Sequence, residues 1–510
     1  MPSNKAKIAK NALALYARMG IILVVSLYTA RVVLQQLGAS DYGVNNVVGG
    51  VVTMLVFMTG TLSQGVQRFI NYHKGRDDYE KINKIFWAAL MIMLVLGAII
   101  VVLAETLGLW FVNTQLNIPD DRMYAANWVF QFSILSMLTS LLCVPYNATI
   151  IAHEDFGIYA YVSIGISLAN LGISFLLQIA PIDKLIFYSG MMCLLHAATV
   201  VCYMIICLKR YRNVRPMRHK DKEIYKSLLS FSGWNILGAT SFVISTQGIN
   251  MILNIFFGTI VNAARGVAFQ ISTKVDDFIM NIQKAMNPQI VQLYSRGEMK
   301  EVQSLVYDNF RWNFSLYWLI ALPILFEVEF ILDIWLDKVP EYTAIFTYII
   351  IIRSLVKCFE RPINSLNFAV GDMKYINIFA SIAVLLTAAL LCVLFKLGLP
   401  PYWAFILDVI CVSACTCFYM RSAQKHHVFS FRYFIIHILL PILLAILVST
   451  ICTYFVRTVA GLSGWWRLIL TLFTTTVFTS ASLWFIVFSK ANRKKILEIV
   501  QNKLKRNKKE

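Results

Sequence analysis

The chain has 510 residues, of which 58% are apolar and 14% charged, with a formal net charge of +19 and a mean hydropathy of +0.66. Soluble domains average about 45–50% apolar and about 25% charged, so a water-soluble globule is excluded. The excess of Lys and Arg could suit a nucleic-acid binder, but its placement in alternate loops excludes that reading too.

The apolar residues fall into blocks of roughly 20–28, long enough to cross about 30 Å of hydrocarbon at 1.5 Å per residue. Backbone groups in lipid must be satisfied within the segment, so each block is expected to be a helix. The alternating ten-residue pattern of a membrane barrel is absent. Lys5, Lys7 and Lys10 precede a first run from Asn11 to Leu37, too long for the core of a cleaved signal peptide and read as a span. Spans are expected near 12–37, 44–71, 82–104, 122–149, 158–180, 184–208, 227–253, 262–293, 306–331, 343–369, 374–396, 401–420, 433–456 and 465–489.

Alternate loops indicate the orientation. Those on the N-terminal side, including 74–84, 209–226, 421–432 and 490–510, hold 30 basic residues against 5 on the opposite side. The positive-inside rule then places both termini in the cytoplasm, which requires an even number of spans. Trp110, Tyr402, Trp403, Trp465 and Trp466 fall at the expected outer interface, and no loop is long enough for a soluble domain. The expected division is 1–208 (spans one to six), a basic linker 209–226, 227–420 (spans seven to twelve), spans thirteen and fourteen in 421–489, and a basic tail 490–510. That tail reads either as a short helix on an anionic inner leaflet or as a solvated basic segment.

Two separate stretches share a pattern. Leu37-Gly38 runs to Tyr72-His73-Lys74-Gly75, and Phe257-Gly258 runs to Tyr294-Ser295-Arg296-Gly297. The offset spans six helices, an even number, so the copies point the same way. The expected fold class is an all-α polytopic membrane protein of about fourteen transmembrane helices, with two six-helix lobes forming a parallel repeat around a central cavity and two extra C-terminal helices.

Charges inside spans cost roughly 2.5–3.5 kcal/mol each on insertion scales and mark protein interiors or water. Basic residues outnumber acids there, which suits an anionic cargo. In span eight Gln270, Lys274, Asp277, Asn281, Lys284 and Pro288 follow steps of three and four, which places them on one helix face. Such a face lines an aqueous cavity, or else forms a seam in which Lys274 and Asp277 pair. Arg265 lies earlier in the same span. Span ten carries Arg353, Lys357 and Arg361 at intervals of four, with Glu360 beside Lys357; Arg361 either joins that polar set or snorkels toward the inner surface. Arg68, with Gln64 and Asn71, ends span two. Arg18 and Arg31, in span one, stand about 220° apart around the helix and either meet through a bend or snorkel to opposite interfaces. The candidate substrate-binding set is Arg265, Lys274, Lys284, Arg353, Lys357, Arg18, Arg31 and Arg68, supported by Gln270, Asp277, Asn281 and Glu360.

The ten cysteines are scattered through apolar segments and read as small apolar fillers. No nucleophile–base pair, phosphate loop or metal cluster emerges, and no cofactor or metal is expected.

Leu37-Gly38-Ala39-Ser40-Asp41-Tyr42-Gly43, Ser63-Gln64-Gly65 through Arg68, and Ala152-His153-Glu154-Asp155-Phe156-Gly157 resemble bacterial polysaccharide flippases of the Wzx type. So do Phe257-Gly258, Val261-Asn262-Ala263-Ala264-Arg265-Gly266 and Asn287-Pro288-Gln289-Ile290 in the second half. These flippases belong to the multidrug/oligosaccharidyl-lipid/polysaccharide exporter superfamily, and the similarity covers roughly residues 10–420. It implies two lobes in a V, alternating access, and an undecaprenyl-pyrophosphate-linked oligosaccharide moved to the periplasmic leaflet of the bacterial inner membrane for O-antigen, capsule or exopolysaccharide assembly. Implied partners are that lipid-linked cargo, membrane lipids, a coupling proton or sodium ion, and polysaccharide polymerase machinery, with no nucleic acid. Drug-exporting relatives place a coupling carboxylate in the first lobe, whereas spans one to six here have no mid-membrane Asp or Glu. The competing readings are a cation-coupled multidrug exporter and a membrane-embedded glycan polymerase or ligase.

Overall fold

The computed structural model describes residues 4–55, 78–153, 155–211, 221–228, 243–371, 373–425 and 427–490, with isolated positions beyond these. Side chains of 4–18, 277–279, 281–285, 287–288, 373–374 and a few single positions lie outside what is described. Among the described residues every regular element is helical. The helices are α1 (Asn4–Leu55), α2 (Tyr79–Thr114), α3 (Met123–Ala152), α4 (Phe156–Leu176) and α5 (Lys184–Arg210). There follow α6 (Ile249–Phe257), α7 (Thr259–Ser295), α8 (Met299–Trp335), α9 (Thr343–Val370), α10 (Met373–Lys396) and α11 (Trp403–Lys425). The last two are α12 (Phe431–Ala460) and α13 (Gly464–Val487).

Ten of these runs are long and apolar enough to cross a membrane, and the protein is a multi-pass membrane protein. The expected first span and the described start of the second, as far as Leu55, form one helical run, α1, broken at Gly38 (φ 77°, ψ 170°). Spans eight and ten form as α7 and α9; α9 carries Arg353 on its buried side. Of span seven, the end near Ile244–Phe257 is described. Large apolar side chains face outward along the helices, among them Leu94, Val95, Ile99 and Val102 on α2 and Leu443, Leu447, Ile451 and Phe455 on α12. That exterior is stable only against lipid. Trp110, Trp465 and Trp466 are likewise exposed.

The repeat is visible in the backbone. Gly258 (φ 76°, ψ −170°) takes almost the same conformation as Gly38 at the start of the earlier copy. Positive φ combined with an extended ψ is a region open essentially to glycine alone, so both helix breaks depend on the residue that the sequence repeats.

The chain divides into two units. Unit 1 comprises Met1–Val267, Trp335–Tyr342 and Val384–Pro401; unit 2 comprises Ala268–Ile334, Thr343–Ala383 and Tyr402–Glu510. In unit 1 the second half of α1 buries Val44, Val47, Val48 and Val51 against Met93, Ile100, Phe130 and Met137 of α2 and α3. In unit 2, α9 packs along α11, with Phe346 against Phe405 at 4.3 Å.

The two C-terminal helices belong to unit 2 and are fastened along α8 at three levels. Asp308 accepts from Arg311 (3.1 Å) and Asn492 (3.0 Å), while Arg311 donates to the His437 carbonyl. Trp318 Nε1 donates to Ser449 Oγ at 3.0 Å. Glu327, fully buried at a kink in α8, takes Arg457 and Arg467 at 3.2 and 2.9 Å and the Thr471 hydroxyl at 2.9 Å.

Candidate functional site

In unit 2 the charges of span ten are met by carboxylates from its neighbours. Arg353, on α9, pairs with Asp408 of α11 (Nε to Oδ2 2.5 Å), the two side chains being 7% and 8% exposed. Arg361, two turns on, donates to Asp276 of α7 at 2.9 Å. It is therefore held in the protein interior and does not snorkel. Ser354 Oγ reaches the other Asp276 oxygen at 3.5 Å and lies 3.0 Å from Ser272 Oγ. Lys357 sits within electrostatic range of Arg353, Glu360, Asp276 and Asp408. It forms no ion pair with Glu360, the partner the sequence suggested. Arg353, Lys357 and Arg361 thus stand among Asp276, Glu360 and Asp408, three charges of each sign. The pairing joins helices far apart in the chain, and nothing in the spacing within span ten announces it.

Helix α7 carries two polar faces. Ser272 and Asp276, one turn apart, are turned to α9. Lys274, two residues before Asp276, lies about 200° around the helix from it, with Gln270 one turn earlier on the same flank. Lys274 is partly buried and makes no hydrogen bond or ion pair among the described residues. The ties of α7 to α9 through Ser272 and Asp276 are made by the other face. The side chains of Asp277, Asn281 and Lys284 lie outside the described residues, as do Arg68 and the Arg18 side chain.

Arg265 is in unit 1, 7% exposed. Its Nη2 donates to the carbonyl of Thr246, within a π-helical turn at Ile244–Gly248. The guanidinium is thus committed in part to a loosened backbone. Arg31 is partly buried on α1. Five of the eight candidates lie among the residues whose side chains are described. Arg353 and Lys357 share the ion-pair cluster, Lys274 faces another way, and Arg31 and Arg265 belong to unit 1.

Two groupings in unit 1 were not singled out from sequence. The first is an amide cluster. Asn262 Nδ2 donates to Asn250 O (2.7 Å) and Oδ1 (2.8 Å), Asn254 Nδ2 donates to Asn262 Oδ1 (2.8 Å), and Asn117 N donates to Asn254 Oδ1 (2.8 Å). Asn250 Nδ2 reaches the Asn46 carbonyl of α1 at 3.4 Å. Beside it Ser40 and Thr259 hydroxyls meet at 3.3 Å, and Gly43 lies so close to α7 that a Cβ there would stand 1.9 Å from the Thr259 carbonyl oxygen. The two glycine breaks therefore bring α1 and α7 together. The spacing of Asn250, Asn254 and Asn262, multiples of four along apolar helices, was the available signal.

The second is a triad on the same end of unit 1. Arg122 donates from Nε to Asp41 Oδ1 (2.7 Å) and from Nη1 to Asp183 Oδ2 (2.7 Å), bridging both carboxylates. Asp183 also caps α5, accepting from the backbone N–H of Leu185 and Ile186. Burial alone would raise the Asp183 carboxyl, but Arg122 and those two N–H groups outweigh it and hold the group below the usual carboxylate range.

No protein-family model and no curated protein matches this chain. Solved structures do. The inward-facing form of a multidrug resistance MATE transporter of the MOP superfamily superposes with a TM-score of 0.69 at 13% identity, covering 80% of this chain and 97% of the other. The lipid II flippase MurJ, in its inward closed conformation, gives 0.69 at 13% identity, covering 93% and 98%. An outward-facing MATE transporter gives 0.60 at 14% identity, covering 82% and 95%. The chain has the fold of these transporters.

Proposed function

We propose that this protein is a flippase that moves a pyrophosphate-linked lipid oligosaccharide from the cytoplasmic to the periplasmic leaflet of the bacterial inner membrane. It works by alternating access between two lobes, with both termini cytoplasmic. The observation that carries the reading is Lys274. In the same unit Arg353 and Arg361 are neutralised by Asp408 and Asp276, whereas Lys274 stands in a span with no carboxylate against it among the described residues. An ammonium at that depth is costly and is explained by an anion that visits. The likeness to a lipid II flippase and the Wzx-type motifs support the same cargo class.

The inner-loop surplus of Lys and Arg supports the orientation. In this reading Lys274 contacts the diphosphate, with Lys284, Arg68, Arg31 and Arg18 as further candidates. Arg353 and Lys357 serve as part of the paired cluster that fixes the α7–α9–α11 body.

The test follows surface glycan in cells carrying Lys274→Ala, Lys274→Arg and Lys274→Glu at matched protein levels. Loss of one charge-assisted contact to phosphate is expected to cut glycan export roughly tenfold in the Ala variant. Arg is expected to rescue and Glu to abolish export. Full export by the Ala and Glu variants would overturn the assignment. The competing reading, a multidrug exporter, draws on the likeness to MATE transporters. Resistance to cationic dyes on expression, with intact glycan on deletion, would favour it.

A further inference from the structure

In unit 2 Arg311, Arg353, Arg361, Arg457 and Arg467 each hold a carboxylate. Two cations at the end of α11 do not. Arg421 and Lys425, one turn apart on one helix face, make no hydrogen bond or ion pair among the described residues. With Tyr375 of α10, Phe418 and Ser422 they line a cleft of about 230 Å³. Phe418 stacks flat on Phe379 of α10, ring centroids 4.0 Å apart and interplanar angle 1°, which makes a stiff apolar wall. Ser422 is 7% exposed at the base of the cleft, and Tyr375 stands 65% exposed at its rim. Among the described residues no carboxylate lines it.

We propose that this cleft binds the phosphate of a lipid headgroup. Helix α11 has 23 residues from Trp403 to Lys425, about 34 Å at 1.5 Å per residue, so Arg421 and Lys425 stand at headgroup depth and not in the hydrocarbon. They lie on the face that carries the basic loops. The favourable position of cations at a helix C-terminus accounts for their sign. It does not account for a cavity closed by an aromatic wall and a phenol from the adjoining helix. A guanidinium offers paired donors that match phosphate oxygens, an ammonium adds a point charge, and a phenol at the rim sits where amphipathic rings favour the interface. An aromatic wall beside the cations accommodates the glycerol and first acyl carbons. The phosphate could come from a membrane phospholipid or from the pyrophosphate head of a lipid-linked cargo awaiting transport. The site stands whether or not the transport reading above holds.

The experiment uses the full chain purified in mild detergent, with native mass spectrometry reading lipid retained after addition of dioleoyl phosphatidylglycerol, dioleoyl phosphatidylcholine or a short-chain polyprenyl pyrophosphate. Wild type is expected to retain the phosphatidylglycerol several-fold over the phosphatidylcholine. Arg421→Ala/Lys425→Ala is expected to lose that preference roughly tenfold, while Arg432→Ala, on the same face outside the cleft, keeps it. Displacement of phosphatidylglycerol by the pyrophosphate assigns the site to the cargo head; failure to displace assigns it to the phospholipid. Equal retention of the two phospholipids by wild type overturns the proposal, as does an unchanged preference in the double variant. If the double variant does not fold, Lys425→Ala alone takes its place, and an unchanged preference there overturns the proposal in the same way.

Discussion

Two polar regions inside this protein are closed by different chemistry. Where the second half of α1 meets α6 and the start of α7, the seam is amides, hydroxyls and a glycine: Asn46, Asn250, Asn254, Asn262, Ser40, Thr259 and Gly43. Where α7, α9 and α11 meet in unit 2, full charges do the same work, as Arg353–Asp408 and Arg361–Asp276. An amide hydrogen bond contributes about 1 kcal/mol net and can be exchanged for another at little cost. A desolvated ion pair costs several kcal/mol to separate in a low dielectric. The charged region is therefore a body that holds its shape, and the amide seam is a contact that can be remade.

The largest effects are expected where one charge of a buried pair is removed. Asp408→Ala leaves Arg353, 7% exposed, with an uncompensated charge, and is expected to destabilise by about 3–5 kcal/mol. Glu327→Ala strands two arginines, but these are 27% and 30% exposed and can rehydrate. It is expected to lower the detergent melting midpoint less than Asp408→Ala does, despite the greater burial of Glu327 itself. Arg353→Leu with Asp408→Leu is expected to recover most of the single-variant loss, because an apolar pair of similar volume carries no desolvation cost. A midpoint in the double variant as low as in Asp408→Ala would show that the pair fixes geometry that apolar packing cannot.

The amide seam is tested by shape before polarity. Gly43→Ala drives a Cβ into the Thr259 carbonyl, a backbone atom with no rotamer to escape into. Overpacking of that kind costs about 1–3 kcal/mol and sometimes more, and the same substitution at Gly49, where nothing stands within 4 Å, is expected to be near neutral. Asn262→Ala removes an amide that serves both Asn250 and Asn254. It is expected to cost about 1–3 kcal/mol through orphaned buried groups, read as the same midpoint shift.

The contrast also explains what the chain discloses without a structure. Spans are legible because length and apolarity are local properties, and the Leu37-Gly38 and Phe257-Gly258 repeat is legible because a positive φ restricts residue choice at one position. The three-and-four spacing in span eight marks one polar face, but α7 has a second at Ser272 and Asp276, and one-dimensional periodicity does not say which meets a neighbour. Arg353 illustrates the limit. Its partner Asp408 lies on α11, with the whole of α10 between them in the chain, while Glu360, two turns along the same helix, forms no pair with it or with Lys357. Helix–helix partners are fixed by packing, which spacing within one helix does not encode. The asparagines are hidden for a different reason: short neutral amides barely lower the hydropathy of a span.

The smallest expected effect belongs to the Arg122 triad, which joins the two chemistries: a charged device on the end of unit 1 that carries the amide seam. Asp183 is depressed below its ordinary value in the folded protein. The stabilisation it contributes is therefore present in full above the unfolded-state pKa of about 4 and is lost as pH falls through the lower, folded value. The carboxyl is 32% exposed, so solvent screens the pair and the effect is expected to be about 1 kcal/mol or less. In melts taken from pH 6 down to pH 3, Asp183→Asn is expected to lower the midpoint slightly at pH 6 and to flatten the acid limb. Raising salt is expected to shrink the wild-type difference between the two pH values, since a partly exposed pair is screened. An acid limb as steep in Asp183→Asn as in wild type would move the pH sensitivity to another carboxylate, and the triad would then act on α5 through the helix cap alone.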